Sequence, residues 1–224
     1  MALIDDTTRE RLRERLAGLP AAVELKLYRK PDTGRLILPP GHGCATCNAA
    51  EELVTTIAEC APERIRLEVR DLDESEDTSA GAPSITISAP GEDPRITFQG
   101  LPAGYEFATL LDAIERVSAA DPELSPEATA KLAGLDEDVE IMVFVTPTCQ
   151  YCPSAASMAN RMAVSSPKVR SRVVEANEFM DLSQRFQVQG VPRTVVNRGG
   201  SFVGALPEAM FVDSVLELAS AKAG

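Results

Sequence analysis

Cys44-Ala45-Thr46-Cys47 and Cys149-Gln150-Tyr151-Cys152 are the residues in this chain best suited to chemistry, and they take four of its five cysteines. Two thiols three residues apart at a helix start can close into a disulfide and reopen with little rearrangement, so each pair can carry two electrons. Only the thiolate attacks a disulfide, so the attacking cysteine needs a lowered pKa and access to solvent. A helix N-terminus helps with both, because its free N–H groups point outward and its dipole favours negative charge. Cys44 and Cys149 precede their helices, whereas Cys47 and Cys152 fall in the first turn. The first of each pair is therefore the expected nucleophile and the second the buried resolver. Attack forms a mixed disulfide with the substrate; the second thiol then displaces the reduced substrate and leaves the catalyst oxidised. Pro153 suits a helix start, where its missing N–H would be unpaired in any case, and Asn48 takes that place in the first half.

The elements that must position these pairs are written twice. Leu16-Ala17-Gly18-Leu19 recurs as Leu132-Ala133-Gly134-Leu135, and Val23-Glu24-Leu25 as Val139-Glu140-Ile141, both at an offset of 116. The cysteine pairs are offset by 105, and Phe98-Gln99-Gly100 matches Phe202-Val203-Gly204 at 104. Co-linear order with drifting offsets is what duplication followed by loop insertion leaves. The drift places eleven extra residues within 29–43 of the first half, where Asp32-Thr33-Gly34 reads as a hairpin turn. The first site thus carries an added loop that the more compact Cys149 site lacks.

Each half runs in one order. A polar helix (7–17; 126–133, with Ser125 as N-cap) leads to a β-rich run (23–28; 139–145). The cysteine-led helix (47–59; 152–163) and a further strand (65–70; 172–174) follow. Ala82-Pro83 and Val191-Pro192 each open a β-branched strand, a strand with Phe98 or Phe202 comes next, and an amphipathic helix (106–117; 209–219) closes the unit. Strands alternating with helices predict an α/β layer fold whose sheet begins parallel and ends in a hairpin. With 119–125 as linker, the chain divides into units 1–120 and 121–224.

Composition narrows the function. A net charge of −12 argues against nucleic acid, which needs clustered Lys and Arg. The N-terminus turns charged at once, without the apolar run of a signal peptide, and no stretch approaches the roughly 20 apolar residues of a membrane span. A cytoplasmic protein without membrane contact is the expectation, and there a Cys-x-x-Cys reads as catalytic or metal-binding. Zinc ribbons place their pairs about 15–20 residues apart, while Cys47 and Cys149 sit in separate repeats. No metal is expected.

A strand, a Cys-x-x-Cys at a helix start and a Pro-led strand about 40 residues later resemble a thioredoxin fold. Two such units, with Gly100-Leu101-Pro102-Ala103-Gly104-Tyr105-Glu106-Phe107 before the first closing helix, resemble the glutaredoxin-like protein disulfide oxidoreductases over nearly the whole chain. The resemblance implies two tandem thioredoxin-like folds, each a central mixed β-sheet flanked by helices. It implies dithiol–disulfide exchange on protein disulfides at Cys149, Cys152, Cys44 and Cys47, with no cofactor beyond the redox-active disulfides. A flavoprotein thioredoxin reductase is the implied electron donor and a peroxiredoxin a further partner. It also implies that Pro83 and Pro192 are cis and pack against the disulfides, while the backbones of Ala82 and Val191 pair with the substrate. Gly43 and Thr148 stand where ordinary thioredoxins carry Trp, and Leu38 and Val143 stand six residues before the cysteines in place of a buried acid. Leu27, the repeat equivalent of Val143, is apolar too.

Other residues take simpler readings. His42, the only histidine, reads as a loop residue, with assistance to the Cys44 thiolate as its competing role. Arg193 either stabilises the Cys149 thiolate or is solvated, and Tyr151 reads as a rim contact for substrates. Cys60 shares an apolar helix face with Leu53 and Ile57 and reads as a buried small side chain. Met158 and Met162 read as core, and the 71–77 acidic run as a solvated loop. Two readings compete with a broad oxidoreductase: a dedicated electron-transfer module between a flavoprotein reductase and a peroxidase, and a non-catalytic peptide-binding module.

Overall fold

A computed structural model of the chain describes residues 4–30, 44–72 and 81–221. Most of the 29–43 insert, including His42 and the Asp32-Thr33-Gly34 turn, lies outside them, as does the acidic run beyond Leu72. In the first half, α1 (Asp6–Leu16), capped by Asp5 accepting from the Thr8 N–H, precedes β1 (Val23–Arg29). Next come α2 (Cys47–Cys60), β2 (Ile65–Asp71), β3 (Ser84–Ser88), β4 (Ile96–Gln99) and α3 (Glu106–Ala119). In the other half, α4 (Pro126–Ala133), with Ser125 capping the Ala128 N–H, precedes β5 (Val139–Val145). It continues with α5 (Cys152–Ser165), β6 (Val169–Glu175), α6 (Met180–Arg185), β7 (Arg193–Val196), β8 (Ser201–Val203) and α7 (Glu208–Ser220).

Each half begins with a parallel pair and ends in an antiparallel hairpin, as the alternation of elements predicts. The two half-sheets then join, because β4 pairs with β6 in parallel and produces one eight-stranded sheet in the order β2-β1-β3-β4-β6-β5-β7-β8. Residues Leu27, Ile85, Phe98, Val173 and Val143 face one another strand to strand across both halves. All five belong to one buried core with the inner faces of α2, α3 and α5.

The opposite face differs between the halves, and the strand sequences say why. β1 alternates, burying Val23, Leu25 and Leu27 and turning Glu24, Lys26 and Tyr28 outward, so its outer face stays polar, with Lys26 between Glu24 and Glu68. β5 is apolar on both faces. Its Met142 and Phe144 form a separate cluster with Val174 and Val195, covered by Phe179, Leu182 and Phe186 around α6. The short α6 and the first three residues of β6 extend the elements expected from sequence. Val169-Arg170-Ser171 hides its strand character behind a charged residue facing outward.

Candidate active sites

The β1–β3 and β3–β4 pairings are both antiparallel and the next two are parallel, so β1 and β5 run in the same direction. Both cysteine loops therefore leave the same rim of the sheet. They are separated by four strand spacings of about 4.8 Å, roughly 19 Å. α2 and α5 pack on the same core face, so both helix N-termini point to that rim.

Each pair is closed as a disulfide with a Cα–Cα distance of 5.4 Å. Cys47 and Cys152 are 1% and 0% exposed, while Cys44 and Cys149 are half-buried. The outer and inner cysteines thus fall on the sides expected for attacker and resolver. Neither Thr46 nor Tyr151, at the N-caps of α2 and α5, caps its helix with a side chain, which leaves first-turn N–H groups for the sulfurs. The Cys152 N–H donates to Cys149 Sγ at 3.1 Å. At the first site the Lys30 N–H donates to Cys47 Sγ at 3.4 Å.

The Ala82-Pro83 and Val191-Pro192 bonds are cis, as the resemblance implies. Register carries both prolines to the cysteine rim: Ser84 lies opposite Tyr28 at the end of β1, and Arg193 opposite Phe144 at the end of β5. The Pro83 carbonyl accepts from the Gly100 N–H at 2.9 Å, and the Pro192 carbonyl from the Gly204 N–H at 2.8 Å. Gly100 and Gly204 both have left-handed φ, so the repeat extends to single hydrogen bonds. Arg193 donates to Ser201 Oγ at 2.9 Å, toward β8. Tyr151 is 63% exposed beside the Cys149–Cys152 disulfide, and Cys60 and Met162 are buried in the core.

A buried acid also reaches this rim, from a position that the cysteine spacing does not reveal. Glu106, at the start of α3, is 2% exposed and neither carboxyl oxygen has a hydrogen-bond partner. Burial pushes its pKa up to about 7, offset in small part by the Thr109 hydroxyl, which stops short of hydrogen-bond geometry. Glu106 lines a cavity of about 10 Å³, roughly the space of one water, with Val145, Pro147, Val173 and Glu175. Pro147 lies two residues before Cys149. The Tyr105 N–H donates to the Pro147 carbonyl at 3.1 Å, so the loop before α3 packs on the approach to the Cys149 site. Glu208 starts α7 as Glu106 starts α3, yet it remains outside, where the Ser125 side chain and then the Ser125 N–H, donating at 3.0 Å, lower its pKa. The difference is a loop three residues longer between Pro102 and α3 than between Pro207 and α7.

Residues 139–217 match the thioredoxin domain family. Over the whole chain the fold is similar to the crystal structure of a protein disulfide oxidoreductase from Aeropyrum pernix. That likeness has a TM-score of 0.80 and 27% identity, over 96% of this chain and 94% of that one. An Enterococcus faecalis structure of the F subunit of alkyl hydroperoxide reductase shares the fold at TM-score 0.80 and 20% identity, over 95% of this chain and 99% of that one. Among curated proteins, the F subunit of the alkyl hydroperoxide reductase of Staphylococcus aureus is 29% identical over 147 residues, 66% of this chain and 27% of that protein. The chain thus spans about a quarter of the length of that curated relative.

Proposed function

We infer that this chain moves electrons by dithiol–disulfide exchange at two centres. The chain is a thioredoxin-like disulfide oxidoreductase with two Cys-x-x-Cys sites, at Cys44–Cys47 and Cys149–Cys152. One observation carries the reading: in each pair the first sulfur is half-exposed at the uncapped start of a helix and its partner is buried beneath it. The outer thiolate attacks a substrate disulfide and releases one substrate thiolate. The inner thiol, once deprotonated, displaces the other; two electrons pass to the substrate and the pair closes.

The backbones of Ala82 and Val191 pair with an extended substrate chain, beside Pro83 and Pro192. Glu106, which shares its cavity with Pro147 on the approach to Cys149, gives that site a proton acceptor poised near neutrality. The disulfides supply all the redox chemistry. Residues 1–120 and 121–224 act as two redox units, protein disulfides are the substrates, and the cytoplasm is the working compartment. Among the described residues no helix is long and apolar enough to cross a membrane.

The likeness to the F subunit of alkyl hydroperoxide reductase favours a narrower alternative, in which the chain passes electrons from a flavoprotein reductase to a peroxidase of the peroxiredoxin type. Trapping separates the two. A Cys152→Ser chain should hold a mixed disulfide through Cys149. Capture of insulin and other unrelated disulfide proteins supports the general oxidoreductase, and capture of a peroxiredoxin alone supports the carrier. No mixed disulfide at Cys149 with any of them would overturn both.

A further inference from the structure

We propose that Glu178, on the loop after β6, is a positioning residue that makes the Cys44–Cys47 pair a stronger reductant from the opposite half of the chain; this rests on the oxidoreductase reading above. Glu178 Oε2 accepts from Thr46 Oγ1, inside the first Cys-x-x-Cys, and Oε1 accepts from the Leu101 N–H at 2.8 Å. The loop itself is fixed: the Glu178 N–H donates to Glu175 Oε2 at 2.7 Å, and Asn177 Nδ2 donates to Glu175 Oε1 at 2.9 Å. Glycine at 100 permits the approach, because a Cβ there would stand 2.6 Å from Glu175 Cβ and 3.1 Å from Glu178 Oε1.

Thr46 is the N-cap residue of α2, so this bond fixes a negative charge beside the helix end that would otherwise stabilise a Cys44 thiolate. Of the other charged groups at this end of β1, Arg29 is held by Glu51 and Asp71, and Lys30 gives its backbone N–H to Cys47 Sγ. At the Cys149 site the exposed Tyr151 occupies the position of Thr46, and Cys149 Sγ receives the Cys152 N–H. A carboxylate beside a thiolate raises the energy of the reduced pair and leaves the disulfide unaffected. The two electrons and accompanying protons therefore leave Cys44–Cys47 for a substrate disulfide more readily.

The test uses the full chain with Cys149→Ser and Cys152→Ser, so that only the first pair titrates against glutathione buffers. Glu178→Gln keeps an accepting oxygen and removes the charge. It should raise the equilibrium constant for reduction of the pair about three- to tenfold, about 15–30 mV, and shift thiolate formation at Cys44 to lower pH. Thr46→Val, which keeps the charge but releases it, should move both in the same direction by less. A purely structural Glu178 would alter stability and leave the potential in place. An unchanged potential in folded Glu178→Gln, or in Thr46→Val should the first variant fail to fold, overturns the proposal. A parent chain whose first pair does not exchange reversibly with glutathione overturns the oxidoreductase reading of that site instead.

Discussion

The Tyr105 N–H donates to the Pro147 carbonyl oxygen at 3.1 Å, tying the loop before α3 in the first half to the residue two before Cys149 in the other. The contact depends on Gly104, whose φ is +60° and where a Cβ would lie 2.2 Å from the Pro147 oxygen. Backbone cannot yield cheaply at that distance. Gly104→Ala should cost at least the roughly 1–2 kcal/mol of a left-handed alanine, and should slow exchange at Cys149 more than at Cys44. Denaturant unfolding and site-resolved alkylation measure the two effects.

Cys149→Ser should abolish most insulin reduction with dithiothreitol, whereas Cys44→Ser should cost less. The Cys149 site has the backbone donor on its outer sulfur and the buried acid beside its approach. Equal losses in the two variants would mean that the sites share the work.

Glu106 gives the fold a pH signature whose sign is fixed. Its pKa rises from 4.5 to about 7 on folding, so the folded state binds more protons than the unfolded between those values. The contribution to stability is complete below about pH 4.5 and is lost as pH rises through 7, at most about 3 kcal/mol. Glu106→Gln should therefore be the more stable chain at pH 8, with a flatter profile from pH 4.5 to 7. Its turnover at Cys149 should fall, because the proton acceptor is gone. Calorimetry across that range checks the stability effect, and insulin reduction against pH checks the turnover.

Phe98 sits in the shared row between Ile85 and Val173 and is 2% exposed. Phe98→Ala should destabilise the chain by about 3–5 kcal/mol. Since the row crosses both halves, both should lose stability in one calorimetric transition. Two separated transitions, only one of them shifted, would count against a shared core.

The cysteine pairs, the Pro-led strands and the order of elements were legible because duplication wrote each of them twice, and local patterns sufficed to find them. α6 was not, since six residues starting at Met180 are too few for a period, and only Leu182 of them packs, half-buried, on the cluster of Phe144 and Val174. The β4–β6 pairing joins residues about 75 positions apart, and neither strand carries a mark of its partner. Glu106 stands at a helix start where acids are ordinarily solvated, as Glu208 is, and only the three-residue longer loop turns it inward. The bond from Thr46 to Glu178 likewise exists only once the half-sheets have joined.

Separate four-stranded sheets would expose four edges, each a row of unpaired N–H and C=O groups that can recruit another chain. Joining β4 to β6 hides two of them. Of the two that remain, β8 is only three residues long, and β2 carries Arg66, Glu68, Arg70 and Asp71 along its length. Short and charged edges are poor templates for aggregation. Under the proposed function the chain meets other proteins at their disulfides, and such edges keep it from becoming a seed for their strands.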